Sequence, residues 1–453
     1  MAAPDLGAAA ERAVAAALAG GAEDAEAYAE EETGLEIKVH DGRVESLTEA
    51  TSRGIGVRAW TGGRAGYAYG TALDEDGLEK LGAAAAEAAG VSDADEFAAP
   101  PEAAGPPAEV GELRDPGFDG HTTAEKVELA LAVETAALQS DPRVRVVEQS
   151  VYADSQGRVA LRSSRGPVGE YAATSCYAYA QALAGAQAEQ QSGLGFGVGR
   201  GPAKLDPAQI GAEAGERAAA QLGAVKPASR SCPVVLDPTV AASFVSFIGS
   251  VAGADAVQRG RSPLAERVGE QIASTAFELL DDGLDPEGFG TSPFDDEGVP
   301  RRRTPLIAGG VLSGYLYDAY TARRGGAEST GNASRSGYRS APGVGPSNLI
   351  VGTGADDLAA LLGKAANGVY VTEVAGLHSG VNPVSGVFSV GATGRAIAGG
   401  ELAEPLREFT IASDLLSMLG AVEAAGSEGR WVPFGGSVKA PPLLIAEMAI
   451  SGS

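Results

Sequence analysis

The chain has 453 residues and a formal net charge of −26, because 60 Asp and Glu residues outnumber 34 Lys and Arg residues. Proteins that bind nucleic acids or anionic membranes need a basic face, so this composition disfavours direct binding to nucleic acid or to a membrane. The N-terminus lacks the basic and apolar regions of a signal peptide, and no apolar run is long enough to cross a membrane. We therefore expect a cytoplasmic protein. The abundance of Ala and Gly is interpreted as an effect of genome base composition.

The N-terminal half is predicted to be an α+β domain over residues 1–225. A helix is expected over residues 6–18, then strands over 34–40, 43–47, 55–60 and 65–69, then a helix over 75–89. Asp41-Gly42 is typical of a tight hairpin turn. A second block over 121–222 broadly repeats this order, and Thr122 with Glu125 predicts a capping box at its first helix. We therefore predict a duplicated α-β4-α unit on a shared sheet.

The C-terminal half, residues 231–453, is predicted to be a second, β-dominated domain. Short apolar runs alternate with Gly-rich turns, and long loops over 281–300 and 323–346 interrupt them. Loops of this length usually line a site or bind a partner. Acids at 281–282 and 295–297 precede Arg301-Arg302-Arg303, which predicts an internal network of acids and arginines rather than a catalytic carboxylate pair.

The motifs of several enzyme classes are absent from the sequence. None of the three histidines, His40, His121 and His378, belongs to a His-Glu-x-x-His zinc helix. Gly-x-Ser-x-Gly and Ser-x-x-Lys are missing, and the Gly-rich run at 193–201 fails the spacing of nucleotide-binding loops, so we interpret it as the end of a strand that enters a linker. Cys176 and Cys232 are expected to be buried apolar residues.

Residues 232–262 form a predicted strand, a turn at Asp237-Pro238 and an apolar helix. A turn from strand to helix is a common place for catalytic side chains. This helix nevertheless has no His, carboxylate or thiol after the turn. Its lack of chemical groups is therefore informative about function.

Several blocks of the chain together resemble the TldD/PmbA family, once labelled modulators of DNA gyrase. They are the runs 290–304, 309–316, 320–323, 329–333, 368–373 and 380–392, together with residues 37–50 near the N-terminus. In the TldD kind, a His-Glu-x-x-x-His zinc motif lies on the helix after the strand, and a thiolate ligand follows near the C-terminus. The alignment implies that Ser246 and Val251 stand at the histidine positions and Phe247 at the glutamate position. Since no cysteine follows Cys232 either, the chain resembles the TldE kind, which lacks the zinc motif.

The resemblance implies a partnership. A TldD-like, zinc-bearing subunit would cut unfolded peptides or mature small peptide products, and this chain would close the shared cavity and help to hold the extended peptide. Pairing of the peptide backbone with a sheet edge suits varied sequences. On this interpretation the chain has no catalytic residue and no metal, and zinc is expected only in the partner of the heterodimer.

Two alternatives stay open at the level of sequence. An enzyme with non-zinc chemistry would use His378, which stands in a loop near Asn382. Both residues are candidates for lining a cavity. The other alternative is a homodimer that binds a peptide or a small product without cutting it.

Overall fold

The computed structural model describes residues 5–102, 105–166, 169–186 and 189–452. Its helices are α1 (Leu6–Ala19), α2 (Glu75–Val91), α3 (Thr123–Ser140), α4 (Pro207–Ala220), α5 (Pro238–Val251), α6 (Ala254–Gln258), α7 (Ala319–Gly325), α8 (Leu358–Ala365), α9 (Leu377–Gly380) and α10 (Leu415–Gly420). Among the described residues, no helix combines the length and the apolar character needed to cross a membrane.

The strands are concentrated in three large sheets. They are β1 (Asp24–His40), β2 (Arg43–Thr61), β3 (Arg64–Gly70), β4 (Val144–Ser163), β5 (Gly169–Ala184), β6 (Gln191–Gly199), β7 (Arg230–Leu236), β8 (Leu279–Asp282), β9 (Arg303–Ala308), β10 (Val311–Leu312), β11 (Ala333–Ser334), β12 (Gly343–Val344), β13 (Asn348–Val351), β14 (Val369–Ala375), β15 (Val387–Ala398), β16 (Glu401–Asp414), β17 (Val422–Ala425), β18 (Arg430–Val432), β19 (Ser437–Ala440) and β20 (Leu443–Ser451). The predicted α+β fold with a β-rich C-terminal part is confirmed.

The N-terminal half is one antiparallel sheet of six strands in the order β3-β2-β1-β4-β5-β6. A unit of helix, three strands and helix occurs twice, and the first strands of the two units, β1 and β4, pair at the centre. The prediction of four strands per unit is wrong. The expected strands at 43–47 and 55–60 are parts of the single strand β2, because its polar middle also pairs with β1.

Helices cover one face of this sheet through small side chains. Alanines make up most of the core under α1 and α2 and about half of the core under α3 and α4. Glycines of the edge strands β3 and β6 lie directly under α2 and α4, where an added Cβ would strike the helix backbone. The prediction that the Gly-rich run at 193–201 is the end of a strand is confirmed, since β6 ends at Gly199 and pairs with β5 before the chain continues to α4.

The C-terminal half contains two further six-stranded sheets, in the orders β10-β9-β8-β13-β19-β18 and β16-β15-β14-β7-β20-β17. Helix α5 follows β7 directly and packs against strands of both sheets in one large apolar core. Sheet membership changes between β6 and β7, close to the predicted boundary at residues 225–231. The division into two domains at that point stays a prediction.

Candidate functional site

Asp237 connects β7 to α5 and holds the start of the helix. One carboxylate oxygen accepts hydrogen bonds from the backbone N–H (3.0 Å) and the hydroxyl (2.6 Å) of Thr239, as expected of an N-cap residue. The other oxygen accepts from Arg217 Nη2 of α4 at 3.1 Å and from the Tyr370 hydroxyl of β14 at 2.7 Å. Burial, and then the charge of Asp237, raise the pKa of Tyr370 well above its ordinary value, so the phenol stays a donor. This carboxylate therefore ties α4 of the N-terminal half to the start of α5.

A cavity of about 560 Å³ lies beside the N-terminal part of α5. Both halves of the chain form its walls, with β6 and α4 on one side and α5 and β14 on the other. Two aromatic rings, Phe196 and Phe434, meet edge to face at 5.0 Å between their centroids. The charged residues that line it are Glu216, Arg217, Asp237, Glu373 and Arg395. The cavity therefore combines apolar surface with charges of both signs, which suits an amphipathic ligand.

The partly exposed face of α5 carries no good ligand for a metal ion. Thr239, Ser243, Ser246 and Phe247 are partly exposed and recur at the spacing of one helix face. Hydroxyls and a phenyl ring do not fit zinc, which is bound by imidazole, thiolate or carboxylate groups. In the described ranges, no group of three or more His, Cys, Asp or Glu side chains is arranged to hold a metal ion.

The three positions implied by the zinc-motif alignment do not share one environment. Ser246 and Phe247 lie on the partly exposed face, whereas Val251 is 2% exposed and belongs to the core. The Ser246 hydroxyl oxygen is buried and has no hydrogen-bond partner in the described part of the chain. Only the first two positions therefore lie on the partly exposed face of the helix.

Replacing Ser246 by Ala is expected to raise the free energy of unfolding by about 1 kcal/mol, because it removes a buried polar group that lacks a partner. Urea denaturation followed by circular dichroism measures this change. Ser243→Ala is the matched control, since the Ser243 hydroxyl donates to the Thr239 carbonyl at 2.8 Å, and it should bring no gain. A clear loss of stability in Ser246→Ala would show that the hydroxyl has a partner.

His378 lies in the short helix α9 and Asn382 two residues after it, and both are exposed in the connection between β14 and β15. The Asn382 side-chain oxygen accepts from the backbone N–H groups of Val384 (2.9 Å) and Ser385 (3.2 Å), so it holds a turn. Neither His378 nor Asn382 is among the residues that line the cavity beside α5. Their assignment as cavity-lining residues stays a prediction for a cavity completed by a second subunit.

The predicted network of acids and arginines is present, but its partners come from distant parts of the chain. Asp282 pairs with Arg303 at 2.8 Å, close to the expected cluster. Glu297 instead pairs with Arg58 of β2 at 2.8 Å. Asp281 accepts from Asn332 Nδ2 at 2.7 Å and is not bonded to an arginine. The acids of this loop therefore have structural partners.

Sequence reasoning missed Arg217 and Tyr370 at the start of α5. The Asp237-Pro238 pair did signal the turn, because an N-cap Asp followed by Pro is a helix start. Nothing in the local sequence around Arg217 or Tyr370 indicates a bond to Asp237. Their contacts with Asp237 could be identified only once the fold was known.

Comparisons with known proteins agree with this architecture. Models of three domains of the PmbA/TldA metallopeptidase family match the chain: domain 1 over residues 25–89, the central domain over 116–222 and the C-terminal domain over 229–452. Metalloprotease PmbA of Escherichia coli O157:H7 is 27% identical over 458 residues, covering 98% of this chain and 96% of that protein. The fold and these matches define a chain related to metallopeptidases.

Solved structures give the same result. A candidate modulator of a DNA gyrase from Thermotoga maritima MSB8 has a TM-score of 0.90 and 26% identity, covering 98% of this chain and 99% of that one. TldE from Thermococcus kodakarensis has a TM-score of 0.89 over 98% of this chain and all of that one, and its 23% identity shows the fold alone. The chain belongs to the PmbA/TldD family, as its sequence motifs predicted, and its role is related to the peptidases of that family.

Proposed function

We propose that this chain is the non-metal subunit of a two-subunit metallopeptidase whose TldD-like partner carries zinc and cuts the peptide. The observation that supports this most is α5. The resemblance implies that this helix stands where the partner carries its zinc motif, yet its partly exposed face presents Thr239, Ser243, Ser246 and Phe247. Without imidazole ligands and a carboxylate base, the helix lacks the groups that metal-assisted hydrolysis needs.

The cavity beside α5 would then hold part of an extended, unfolded peptide. Its two phenylalanine rings offer apolar contact to peptide side chains, and Arg217, Glu373 and Arg395 offer polar contact. A site of this kind accepts varied sequences, because apolar contact is not directional. The partner would place the scissile bond, and this chain would restrict how the peptide lies.

A reconstitution experiment tests the proposal. This chain, the zinc-bearing family member from the same source, and an equimolar mixture are assayed for zinc by mass spectrometry and for cleavage of unfolded, fluorescently labelled casein. We expect this chain alone to hold no stoichiometric zinc and to cut nothing, and the mixture to exceed the partner alone at least about tenfold. Stoichiometric zinc and robust cleavage by this chain alone would overturn the proposal.

The same mixture tests the cavity. Ser243→Trp places an indole among the cavity-lining residues, so we expect slower cleavage with an unchanged mass of the complex in light scattering. Ser250→Trp is the matched control, because Ser250 is exposed on the same helix and does not line the cavity. Equal cleavage rates for the two variants would show that the cavity beside α5 does not hold the peptide. Peptide binding by this chain alone, without cleavage in any mixture, would favour the homodimeric binding protein instead.

A further inference from the structure

A second groove, of about 360 Å³, opens on the N-terminal sheet and contains no residue of α5. The pairing of β4 with β5 places Gly157 opposite Ala173 and Ser155 opposite Ser175. Residues at every second position of a strand share a face, so these four small residues form a flat floor. The floor leaves space for a ligand where large side chains would otherwise fill the groove.

One wall of this groove is acidic and belongs to β1. Glu30 pairs across the sheet with Val159 and Glu32 with Gly157, so both acids stand beside the floor. Glu30 Oε1 accepts the backbone N–H of Tyr338 at 3.0 Å. Glu32 is exposed and has no hydrogen bond or ion pair in the described ranges of the chain. Glu32 and the second carboxylate oxygen of Glu30 are therefore available to a cationic group.

The other wall is basic, and two of its arginines have no carboxylate partner. Arg200 donates only to backbone carbonyls, which belong to Leu113, Thr174, Pro286 and Gly288. Arg301 donates to the Gly331 carbonyl at 2.7 Å and to the Ser292 hydroxyl at 3.3 Å. Among the described residues, neither arginine lies within ion-pair distance of a carboxylate. Burial lowers the pKa of Arg200, and the more distant charge of Asp285 only partly offsets this effect.

Arg335 adds a third guanidinium group to the same groove. Its side chain is 1% exposed, Nη2 pairs with Glu26 at 3.0 Å, and its central carbon lies 4.3 Å from the centre of the Tyr28 ring. Its Nε and Nη1 atoms are buried and have no hydrogen-bond partner within the described chain. Unpaired donors on a buried cation are costly, so these groups favour a further acceptor, although the Tyr67 hydroxyl lies near enough for Arg335 to oppose the rise in its pKa.

Two further acids, Asp296 and Glu31, line the groove. The Asp296 carboxylate already accepts the backbone N–H of Arg335 at 2.7 Å, and burial raises its pKa. Glu31 is paired with Arg158 at 2.7 Å. Among the described residues, neither acid forms an ion pair with Arg200 or Arg301, although Arg301 is close enough for its charge to oppose the rise in the pKa of Asp296.

We propose that this groove binds a zwitterion, namely a short peptide or amino acid with free ends, whose carboxylate faces Arg200, Arg301 and Arg335 and whose ammonium group faces Glu30 and Glu32. A guanidinium N–H that has no partner can donate a charge-assisted hydrogen bond to a carboxylate. A simple anion would meet Glu30 and Glu32, and a simple cation would meet the arginines, so a ligand with both charges fits better. The site lies wholly within this chain, so it does not depend on the zinc-bearing partner.

Calorimetric titration of the full chain tests the ligand class. The probes are trialanine with free ends, its N-acetyl form, its C-terminal amide and the form blocked at both ends. We expect free trialanine to bind with a Kd of about 1 mM or below, and each single block to weaken binding at least about fivefold. Binding that is equal for the free and doubly blocked peptides, or no binding of the free peptide, would overturn the proposal.

A pair of variants tests the position of the site. Ala173→Leu fills the floor, and Ala172→Leu adds the same atoms at the neighbouring, exposed residue that does not line the groove. We expect Ala173→Leu to weaken trialanine binding at least about tenfold and Ala172→Leu to leave it unchanged, with equal melting temperatures confirming that both fold. Glu32→Gln should weaken binding of the free peptide but not of its N-acetyl form. Unchanged binding in Ala173→Leu would place the site elsewhere and overturn the proposal.

Discussion

Replacing Arg58 by Met is expected to lower the free energy of unfolding by about 3–5 kcal/mol at pH 8. Arg58 of β2 donates to Glu26 of β1 at 2.7 Å and to Glu297 of the C-terminal half at 2.8 Å. Glu26 is 1% exposed and Glu297 is 2% exposed. Arg335 remains beside Glu26 in the variant. The larger loss therefore falls on Glu297, which becomes a buried carboxylate that has lost its ion pair.

The size of this loss should depend on pH with a definite sign. In the wild-type chain, burial favours a higher pKa for Glu297, but the charge of Arg58 and the hydrogen bond from the Ala319 N–H outweigh it and lower the pKa. Ionised Glu297 therefore stabilises the folded wild-type chain at pH values above about 4.3, the pKa of an unfolded Glu. This stabilisation is lost as the pH falls below that value and through the lower pKa of the folded chain. In Arg58→Met the effect of burial prevails and the pKa of Glu297 rises above that of an unfolded Glu. The folded variant therefore loses stability as the pH rises, because its buried carboxyl group must then ionise. The difference between the two proteins should therefore shrink from pH 8 to pH 5.

Urea unfolding followed by fluorescence at both pH values measures the effect. Arg53→Met is the matched control, because Arg53 also lies in β2 but is 44% exposed and 3.8 Å from Glu31. Exposed ion pairs contribute little, so this control should lose less than about 1 kcal/mol. A similarly small loss in Arg58→Met, or a loss that does not vary with pH, would show that Glu297 does not depend on Arg58.

Features governed by neighbouring residues were predictable from the sequence. Asp41-Gly42 forms the expected hairpin turn, with positive φ angles of 52° and 69° at its two positions. Thr122 and Glu125 form the expected capping box at the start of α3. In both cases the turn or cap chemistry lies within four residues, so the sequence itself carries the signal.

Features that depend on distant partners were not predictable. Glu297 and Arg58 are 239 positions apart, and Tyr370 and Asp237 are 133 apart. No periodicity links such residues, because their contact is set by how the sheets and helices pack. The continuity of β2 was missed for a related reason: its exposed middle follows no apolar alternation and is held by pairing with β1. The groove between β1, β5 and the loop before Arg301 likewise exists only after folding.

Gly195→Ala is expected to lower the free energy of unfolding by about 3 kcal/mol, because the added methyl group overpacks a rigid contact. Gly195 lies in β6 beneath α4, and a Cβ at this position would stand 2.1 Å from the Ile210 carbonyl oxygen and 2.6 Å from the Ala214 nitrogen. Both atoms belong to helix backbone, so α4 itself must move. Gly66 occupies the corresponding place in the first unit, with a Cβ that would stand 2.2 Å from the Ala89 nitrogen of α2.

Gly90→Ala is the matched control and should change stability in the opposite direction. Gly90 lies in α2 and is exposed, and a Cβ there would meet nothing within 4 Å. Alanine favours the helix over glycine by about 1 kcal/mol, so this variant should be more stable than the wild-type chain. Differential scanning calorimetry measures the melting temperature of both variants. It distinguishes glycines that close packing requires from glycines that reflect genome composition. Opposite shifts would show that Gly195 is required by the close packing of α4 on β6, whereas equal gains would leave genome composition as the explanation at both positions.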